Sequence, residues 1–260
     1  MLKKILAYPL SVIFYVAFGI LLIIFHPVQV VCYRLFGYES HRKSVIALNY
    51  CILKCLLILR CRISFKGFDK LPKNRPFIIV SNHQSTWDIP PVAWGFRDFH
   101  AKFVSKSSLA RGIPSISYNL RHGGSIVINR KNGQQAIKEL IKLGRKIEQN
   151  NYSACIFPEG TRSKTGILKK FQAGGIRTLL KASPSALIIP FVIDGNYLLQ
   201  PGGVFPLSIG HQLNYTVLDP IEPGKTDPEI LVLEVENLIR KELSQMLENK
   251  VVSEPSNKIS

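Results

Sequence analysis

Hydrophobic residues follow different patterns in the two parts of the 260-residue chain. The N-terminal part has an apolar stretch with no charged residue from Ile5 to Tyr33. This stretch is longer than the ~20 residues that a helix needs to span a bilayer, and no small-residue cleavage site follows it. Pro9 and Pro27 are positions at which a helix can kink. We therefore predict a retained membrane-associating helix, either a span or a bent helix in one leaflet.

A second apolar stretch runs from Ser44 to Leu59 and is interrupted by Asn49 and Lys54. It is short and has basic residues on both sides, which is typical of an interfacial helix. We therefore assign residues 1–65 to N-terminal membrane-anchoring helices.

After Gly67, short apolar runs alternate with amphipathic ones, a pattern typical of an α/β fold. An amphipathic helix is predicted over Gln134–Gln149, with apolar residues at helical spacing. The fold class that we predict is α/β, a mixed β-sheet flanked by helices. The predicted strands are Phe77–Val80, His100–Val104, Ser125–Asn129, Ala154–Phe157 and Leu187–Ile193.

The C-terminal part begins with two strand-like runs, Val204–Ile209 and Leu213–Leu218, which predict a hairpin across a Gly-His-Gln turn. Asp227 and the following proline then form a helix start, and apolar spacing carries the helix to about Leu247. The predicted α/β domain therefore covers residues 66–250, and residues 251–260 are predicted to be a flexible tail.

The charge balance is strongly basic, with 34 Lys and Arg against 17 Asp and Glu. The excess lies in residues 1–225, next to the apolar segments, while residues 226–260 are net acidic. Such a surface suits anionic lipid head groups, an acidic protein or nucleic acid, but no nucleic-acid-binding motif is present. The five cysteines have no zinc-ligand spacing, so we expect reduced thiols and no metal.

Two polar residues with catalytic potential follow the first predicted strand of the domain, His83 and Asp88. A spacing of five does not place two side chains on one helix face, so a contact between them needs a turn. Asn82 and Ser85 are good turn and cap residues. The segment is then either a dyad, in which the carboxylate orients the imidazole for proton transfer, or a polar loop without a catalytic role.

Two further strand ends carry polar residues, the stretch from Phe157 to Arg162 and the basic pair Arg130-Lys131 that follows Ile126–Asn129. The stretch from Phe157 to Arg162 offers Gly160 for close approach of an anion to the backbone, the Thr161 hydroxyl and the planar Arg162 guanidinium. Glu159 is expected to hold a neighbouring arginine or a substrate hydroxyl. The alternative is an ordinary capped turn with a surface ion pair. Ligands gather at one edge of an α/β sheet, so coincident polar strand ends favour a site.

The motifs resemble the glycerolipid acyltransferase family, in particular the bacterial 1-acyl-glycerol-3-phosphate acyltransferases. Asn82, His83 and Asp88 match the family's Asn-His-x4-Asp block, and Phe157 to Arg162 match its Phe-Pro-Glu-Gly-Thr-Arg block at every position. Ile188 to Phe191 corresponds to a further block, an apolar run around a proline. The resemblance extends from about residue 70 to residue 195.

Two positions depart from the family pattern. Asn129 stands where the block that ends Ile-Asp-Arg has an aspartate, and Gln172 replaces a lysine. Lys106 and Arg130 keep family positions. Because both departures alter charge near the expected acceptor site, glycerol-3-phosphate, an amino-acid-based lysolipid and other lysophospholipids stay open as acceptors.

The resemblance implies acyl transfer from an acyl thioester to lysophosphatidate, giving phosphatidic acid for phospholipid biosynthesis. His83 would be the general base and Asp88 its orienting residue, with no metal or bound cofactor. Arg130, Gly160, Thr161 and Arg162 would hold the phosphate of the acceptor. Acyl carrier protein or coenzyme A would carry the acyl group, and a basic surface suits either donor.

The location that these features imply is a bacterial inner membrane, with the catalytic domain facing the cytoplasm. Membrane lipids and a lysophospholipid acceptor are the expected partners. A non-catalytic membrane-anchored binding protein is the alternative from another class. A serine hydrolase is disfavoured because the chain has no Gly-x-Ser-x-Gly motif.

Overall fold

A seven-stranded β-sheet lies at the centre of the computed structural model, which describes residues 2–129, 132–224 and 226–253. The strands are β1 (Arg62–Lys66), β2 (Phe77–Ser81), β3 (Ala101–Lys106), β4 (Ile126–Ile128), β5 (Ser153–Ile156), β6 (Leu187–Asp194) and β7 (Gln212–Val217). Their order across the sheet is β1-β7-β6-β2-β5-β3-β4. Among the strands of the described residues, β6 and β7 are the one pair that runs antiparallel. The mixed sheet predicted from the sequence is confirmed, and β2 to β6 all end at one edge.

Helices cover both faces of the sheet. They are α1 (Leu2–Cys55), α2 (Ile89–Gly95), α3 (Ile116–His122), α4 (Gly133–Asn150), α5 (Ala173–Ala182) and α6 (Pro228–Ser253). Side chains of a strand alternate between faces, so Phe77 and Ile79 join the core beneath α1 and α2. Ile78 and Val80 join the core beneath α4, α5 and α6.

The N-terminal helix α1 has 54 residues and one interruption, at Gly37. Gly37 has φ 76° and ψ −167°, a backbone conformation that glycine adopts without a steric penalty. Pro9 and Pro27 lie inside the helix. The two predicted apolar segments are therefore two arms, residues 2–36 and residues 38–55, and they meet at a glycine and not at a proline.

The first arm packs lengthwise on the α/β domain. The Ser11 hydroxyl accepts a hydrogen bond from the Leu207 backbone N–H (2.9 Å). Further along the arm, the Ser115 hydroxyl donates to the Leu22 carbonyl (2.8 Å), and the Ser115 N–H donates to the His26 ring (3.2 Å). At 1.5 Å per residue the arm is about 50 Å long, so these contacts fix it against the domain along much of its length.

The opposite side of the first arm is an apolar stripe that faces outward. Of the described helices, α1 is the one that is long and apolar enough to cross a membrane by length and composition. The exposed residues recur at helical spacing and are Ile5, Tyr8, Val12, Ile13, Val16, Ile20, Ile23, Ile24, Val28, Val31, Leu35 and Phe36. The first arm therefore packs against the α/β domain on one side and exposes apolar side chains on the other.

The second arm differs from the predicted interfacial helix. Leu48, Ile52, Leu53 and Leu56 are buried in the core beneath α1 and α2. Its apolar content is therefore explained by the protein core. The strand β1 follows directly and pairs with β7, although the sequence pattern did not indicate it. The predicted domain boundary at residue 65 thus falls within β1.

The predicted hairpin is wrong. Residues 204–209 form no strand, and β7 pairs with β1 and β6. Pro206 cannot donate a ladder hydrogen bond, and Leu207 and Ile209 are buried in the core that includes α1. The C-terminal helix is also longer than predicted, since α6 ends at Ser253. Residues 254–260 of the predicted tail lie outside the described residues.

Candidate functional site

A turn after β2 brings His83 and Asp88 together. Residues 86–88 form one turn of 3-10 helix, and Ser85 caps it. The Ser85 hydroxyl accepts from the Trp87 N–H (3.4 Å), and the Asp88 carboxylate accepts from the Ser85 N–H (2.9 Å). The chain therefore folds back over five residues, and His83 Nδ1 lies 2.7 Å from Asp88 Oδ2.

The carboxylate of Asp88 is the centre of a buried hydrogen-bond network. Asp88 is fully buried, and Oδ2 also accepts from the Gln84 N–H (2.7 Å). Oδ1 accepts from Asn196 Nδ2 (2.7 Å), and Asn196 Oδ1 accepts from the Tyr215 hydroxyl (2.9 Å). The Asp88 carboxylate thus accepts four hydrogen bonds, and these fix its orientation toward His83.

The imidazole of His83 is held on one side and open on the other. Nδ1–H donates to Asp88, which leaves the Nε2 lone pair available. None of the described residues bonds to Nε2. The ring stacks on Phe157, with 4.3 Å between ring centroids and 21° between planes. The side chain is 17% exposed, so a substrate hydroxyl can reach Nε2.

Asn82 connects the turn to the neighbouring strand β6. Its Nδ2 donates to the Ile193 carbonyl (2.7 Å), and its Oδ1 accepts from the Ile193 N–H (2.8 Å). The side-chain amide thus replaces a backbone ladder pair where β2 leaves the sheet. Asn82 has a positioning role here and does not contact the imidazole network directly.

Glu159 binds the backbone of the turn at residues 83–88, which is called the His83–Asp88 turn or the catalytic turn because of its proposed role. Its Oε1 accepts from the His83 N–H (2.7 Å), and its Oε2 accepts from the Lys169 N–H (3.1 Å). Burial raises the pKa of the Glu159 carboxyl, while these two N–H groups lower it. Among the described residues Glu159 therefore binds backbone N–H groups and pairs with no arginine, and its expected contact with a substrate hydroxyl stays a prediction.

The loop from Gly160 to Arg162 lies between two anchors on His83. Glu159 binds the His83 N–H, and the Ser163 N–H donates to the His83 carbonyl (2.7 Å). Gly160 has φ 68°, and the side chains of Thr161 and Arg162 are exposed. Sequence positions 83 and 160–162 are therefore adjacent in space, as expected for neighbouring parallel strands β2 and β5.

Lys169 adds a second cation to this loop. Its Nζ donates to the Thr161 hydroxyl (2.9 Å) and to the Arg162 carbonyl (3.0 Å). Together, Arg162 and Lys169 make the rim beside His83 positive. Sequence reasoning missed Lys169 because a lysine in a basic chain carries no signal of its own.

The other predicted site residues lie along the same edge. Lys106 is exposed at the end of β3, and its backbone pairs with Ile128 of β4. Arg130 lies outside the described residues. Asn129 is exposed, and its N–H donates to Gln135 Oε1 (2.9 Å).

Gln172 lies directly before α5. Its backbone N–H donates to the Pro158 carbonyl (3.0 Å), and the residue is exposed. The substitution is therefore next to the loop that carries Gly160 and Arg162.

Trp87 joins the catalytic turn to the first arm of α1. Its ring contacts Phe14 edge-to-face, with 4.9 Å between centroids, and Phe18 at 5.2 Å. The turn that carries Asp88 is therefore packed directly on the helix that exposes the apolar stripe. Sequence reasoning left Trp87 without an assigned contact.

Metal-binding geometry is absent from the described residues, among which no group of three or more His, Cys, Asp or Glu residues could hold a metal ion. The five cysteines are free, and three of them are buried.

Comparison with known proteins gives one family. A family model described as acyltransferase matches residues 62–194. Curated relatives include a 1-acyl-sn-glycerol-3-phosphate acyltransferase from Borreliella burgdorferi, 31% identical over 161 residues, or 61% of this chain and 62% of the relative. A protein of the same name from Pseudomonas aeruginosa is 28% identical over 165 residues, 62% of each chain. The chain thus spans less than two thirds of the length of these relatives.

A solved structure has the same fold. It is the crystal structure of the 1-acyl-sn-glycerophosphate acyltransferase PlsC from Thermotoga maritima, with a TM-score of 0.78 and 24% sequence identity. The similarity covers 94% of this chain and 97% of that chain. Because it extends over most of this chain, the match includes α1 and is not confined to the sheet.

Proposed function

The chain belongs to the acyltransferase family, and on that premise we propose that it acylates the free hydroxyl of 1-acyl-glycerol-3-phosphate to form phosphatidic acid. The observation that carries the proposal is the open Nε2 of His83, which lies beside a basic loop anchored to the His83 backbone. The relatives with this name in Borreliella burgdorferi and Pseudomonas aeruginosa support the choice of acceptor.

The reaction needs one proton acceptor and no covalent enzyme intermediate. The hydroxyl of the acceptor gives its proton to His83 Nε2, and its oxygen attacks the thioester carbonyl carbon. The carbon–sulfur bond then breaks, and the leaving thiolate takes the proton back from the imidazolium. Asp88 stabilises the imidazolium through the 2.7 Å contact with Nδ1. General base catalysis of this kind contributes ~10²–10⁴ in rate.

The phosphate of the acceptor binds the loop from Gly160 to Arg162. The Arg162 guanidinium is exposed and has the planar geometry that matches phosphate oxygens. The Thr161 hydroxyl accepts from Lys169 and is therefore oriented to donate its own proton outward. Glu159 and Ser163, on either side of the loop, both bond the His83 backbone. Phosphate binding to the loop therefore sets the distance between the acceptor hydroxyl and Nε2.

The protein inserts into one leaflet of the membrane through the first arm of α1. The domain contacts this arm at Ser11, Phe14 and Leu22, so a transbilayer arm would drag polar protein surface into hydrocarbon, which is costly. The outward apolar stripe suits the interface of a leaflet. Trp87 then places the catalytic turn next to the lipid layer that holds acceptor and product. In a bacterial cell this is the inner membrane, with the site facing the cytoplasm.

The acyl donor is a thioester of acyl carrier protein or of coenzyme A. Both are acidic, and the basic surface of this chain suits both. Asn129 removes a negative charge that the family has near the loop, and Gln172 removes a positive one. A different acceptor is therefore a second candidate. The panel of acceptors includes glycerol-3-phosphate and amino-acid-based lysolipids for this reason.

The test is acyl transfer by purified membranes that contain the full chain. A radiolabelled acyl thioester is supplied on either carrier with each acceptor in turn. We expect labelled phosphatidic acid from lysophosphatidate, and a loss of ~10²–10⁴ in rate for His83→Ala. A labelled product from another acceptor only would move the assignment to that acceptor.

The matched control is His211→Ala at equal expression. The His211 ring bonds the Ser208 hydroxyl (2.8 Å), and the proposed reaction assigns it no role, so this variant is expected to keep its activity. Undiminished transfer by His83→Ala overturns the role of His83. Absence of transfer to every acceptor by the unmodified chain favours a membrane-anchored binding protein.

A further inference from the structure

A small cavity lies at the far end of the sheet from His83, behind the break in α1. Its volume is about 40 Å³, which is room for about three waters or for one small oxyanion. It lies between the second arm of α1 and the start of β3. The side chains that line it include Tyr38, His41, Arg42, His100 and Lys102.

Lys102 brings a buried ammonium to this cavity. Lys102 is 3% exposed, and its Nζ donates to the Tyr38 hydroxyl and lies 4.7 Å from the centre of the Tyr38 ring. No carboxylate of the described residues forms an ion pair with it. Burial, followed by the charges of Lys146 and Arg42, lowers the pKa of Lys102 to about 7. An ammonium has three donors, so the site offers donors that the protein leaves without acceptors.

His41 provides a second, independent indication of a ligand. It is completely buried, and neither ring nitrogen has a hydrogen-bond partner among the described residues. Its ring is held edge-on by Tyr33 and tilted against Tyr118, at 5.6 Å and 5.7 Å between centroids. Buried polar groups are normally hydrogen-bonded, and this one lines the cavity.

The remaining charges leave the cavity positive. Glu39 and Asp98 are nearby carboxylates; the Glu39 oxygens lie 2.9 Å from Arg42 Nε and 3.8 Å from His100 Nδ1, and Asp98 lies 3.8 Å from Arg97 Nε. The Glu39 side chain is 54% exposed and does not pair with Lys102. We propose that the cavity binds a phosphate-class oxyanion, with Lys102 and His41 as its principal hydrogen-bond donors.

The position of the cavity allows two sources of phosphate. The exposed Leu35 and Phe36 end the apolar stripe directly before Gly37, so the cavity lies near the level where lipid head groups begin. The phosphate of an anionic lipid and free inorganic phosphate offer the same oxygens to Lys102 and His41. This site is separate from the catalytic loop and does not depend on the proposed acyl transfer.

The first experiment measures inorganic phosphate binding to the detergent-purified full chain by ³¹P line broadening and by the thermal unfolding midpoint. Ionic strength is held constant with sodium chloride. We expect Lys102→Met to weaken phosphate binding at least ~10-fold, because it removes a charge-assisted hydrogen bond. The midpoint of this variant rises less with phosphate than that of the unmodified chain, because the cavity no longer contributes and a ligand stabilises only the state that it binds.

Two further variants localise the effect. His41→Phe keeps the aromatic packing and loses both ring nitrogens, so it also weakens phosphate binding, and it replaces Lys102→Met if that variant does not fold. Arg162→Ala, in the loop proposed for the acceptor phosphate, keeps the phosphate binding that the cavity at Lys102 and His41 contributes, and Lys142→Met, an exposed lysine of α4, binds as the unmodified chain does. General stabilisation by phosphate as a cosolvent acts on all variants equally. Equal phosphate effects in the unmodified chain and in Lys102→Met overturn the site, as does the absence of phosphate binding.

The second experiment separates the two sources. Flotation compares vesicles of phosphatidylcholine with vesicles of phosphatidylcholine and phosphatidylglycerol, without free phosphate. If lipid phosphate fills the cavity, Lys102→Met loses part of the preference for the anionic vesicles and Lys142→Met does not. If only free phosphate fills it, both variants keep the preference while the ³¹P result for Lys102→Met stands.

Discussion

The turn at His83–Asp88 and the loop at Gly160–Arg162 lie side by side but are built in opposite ways. Asp88 is fully buried and accepts four hydrogen bonds. Thr161 and Arg162 are exposed, and Lys169 bonds the Thr161 hydroxyl and the Arg162 carbonyl. Under the proposed function, this difference means that the proton-transfer geometry is complete before substrate arrives, whereas the phosphate contacts await the ligand.

This contrast predicts which measured quantity each region controls. A preorganised buried network acts on the transition state and so on kcat. Exposed side chains that gain partners only with the acceptor act on binding and so on KM. The same contrast applies to stability, because loss of a buried partner leaves an unsatisfied group and loss of an exposed one does not.

The largest effect is expected for Asp88→Asn. The amide cannot accept from all four donors or stabilise an imidazolium, so kcat falls by ~10²–10⁴. The free energy of unfolding falls by ~1–3 kcal/mol, because a donor is left facing another donor. Steady-state acyl transfer and chemical denaturation measure the two quantities.

Asp194→Asn is the matched control for this prediction. Asp194 is also buried at the end of a strand, and its carboxylate accepts from Asn214. Asp194→Asn is expected to lower the free energy of unfolding and to leave kcat unchanged. Unchanged kcat in Asp88→Asn would contradict the orienting role of the carboxylate.

Arg162→Ala is expected to have an intermediate effect. It raises KM for lysophosphatidate ~10-fold or more, because a charge-assisted hydrogen bond to phosphate is lost. The unfolding free energy changes by less than ~0.5 kcal/mol, as is usual for an exposed position. Arg162→Lys restores only part of the affinity.

Arg145→Ala, on the exposed side of α4, is the control and leaves KM unchanged. A fall in kcat with unchanged KM for Arg162→Ala would place the guanidinium in the proton-transfer machinery and remove the contrast between the two regions.

The smallest effect is expected for Tyr215→Phe. Its hydroxyl is hydrogen-bonded to Asn196, which in turn donates to Asp88. The change therefore weakens the positioning of Asp88 indirectly and lowers kcat a few-fold. The stability cost is ~0.5–1.5 kcal/mol. A double-mutant cycle with Asn196→Leu checks the route, because the effect of Tyr215→Phe on kcat disappears once Asn196 is absent. Additive effects would mean that Tyr215 acts by packing alone.

Periodicity was a good guide to the central strands and to the edge strand β4, and it missed the other edge strand, β1. Buried parallel strands such as β2 and β6 are continuous apolar runs, and their ends were predicted within one residue. The edge strand β1 has alternating polar residues and gave no clear signal. Residues 204–209 have strand-like composition, but their apolar side chains pack against α1, a contact that local sequence does not contain.

The residues of the site divide in the same way. His83, Asp88 and the stretch from Phe157 to Arg162 were found because a motif carries them. Asn196 and Tyr215 were missed because each is an ordinary residue of a strand or turn, and Asn196 lies 108 positions from Asp88.

By itself the sequence determined the fold class, the apolar N-terminal helix and the resemblance to acyltransferases, because these depend on local periodicity and on short motifs. Tertiary structure alone decided that His83 has an open Nε2, that Glu159 holds backbone N–H groups, and that α1 lies along the domain. It also placed Lys102 and His41 around one cavity. These features depend on contacts between distant segments, and burial gives them their strength by removing the water that would otherwise satisfy the same polar groups.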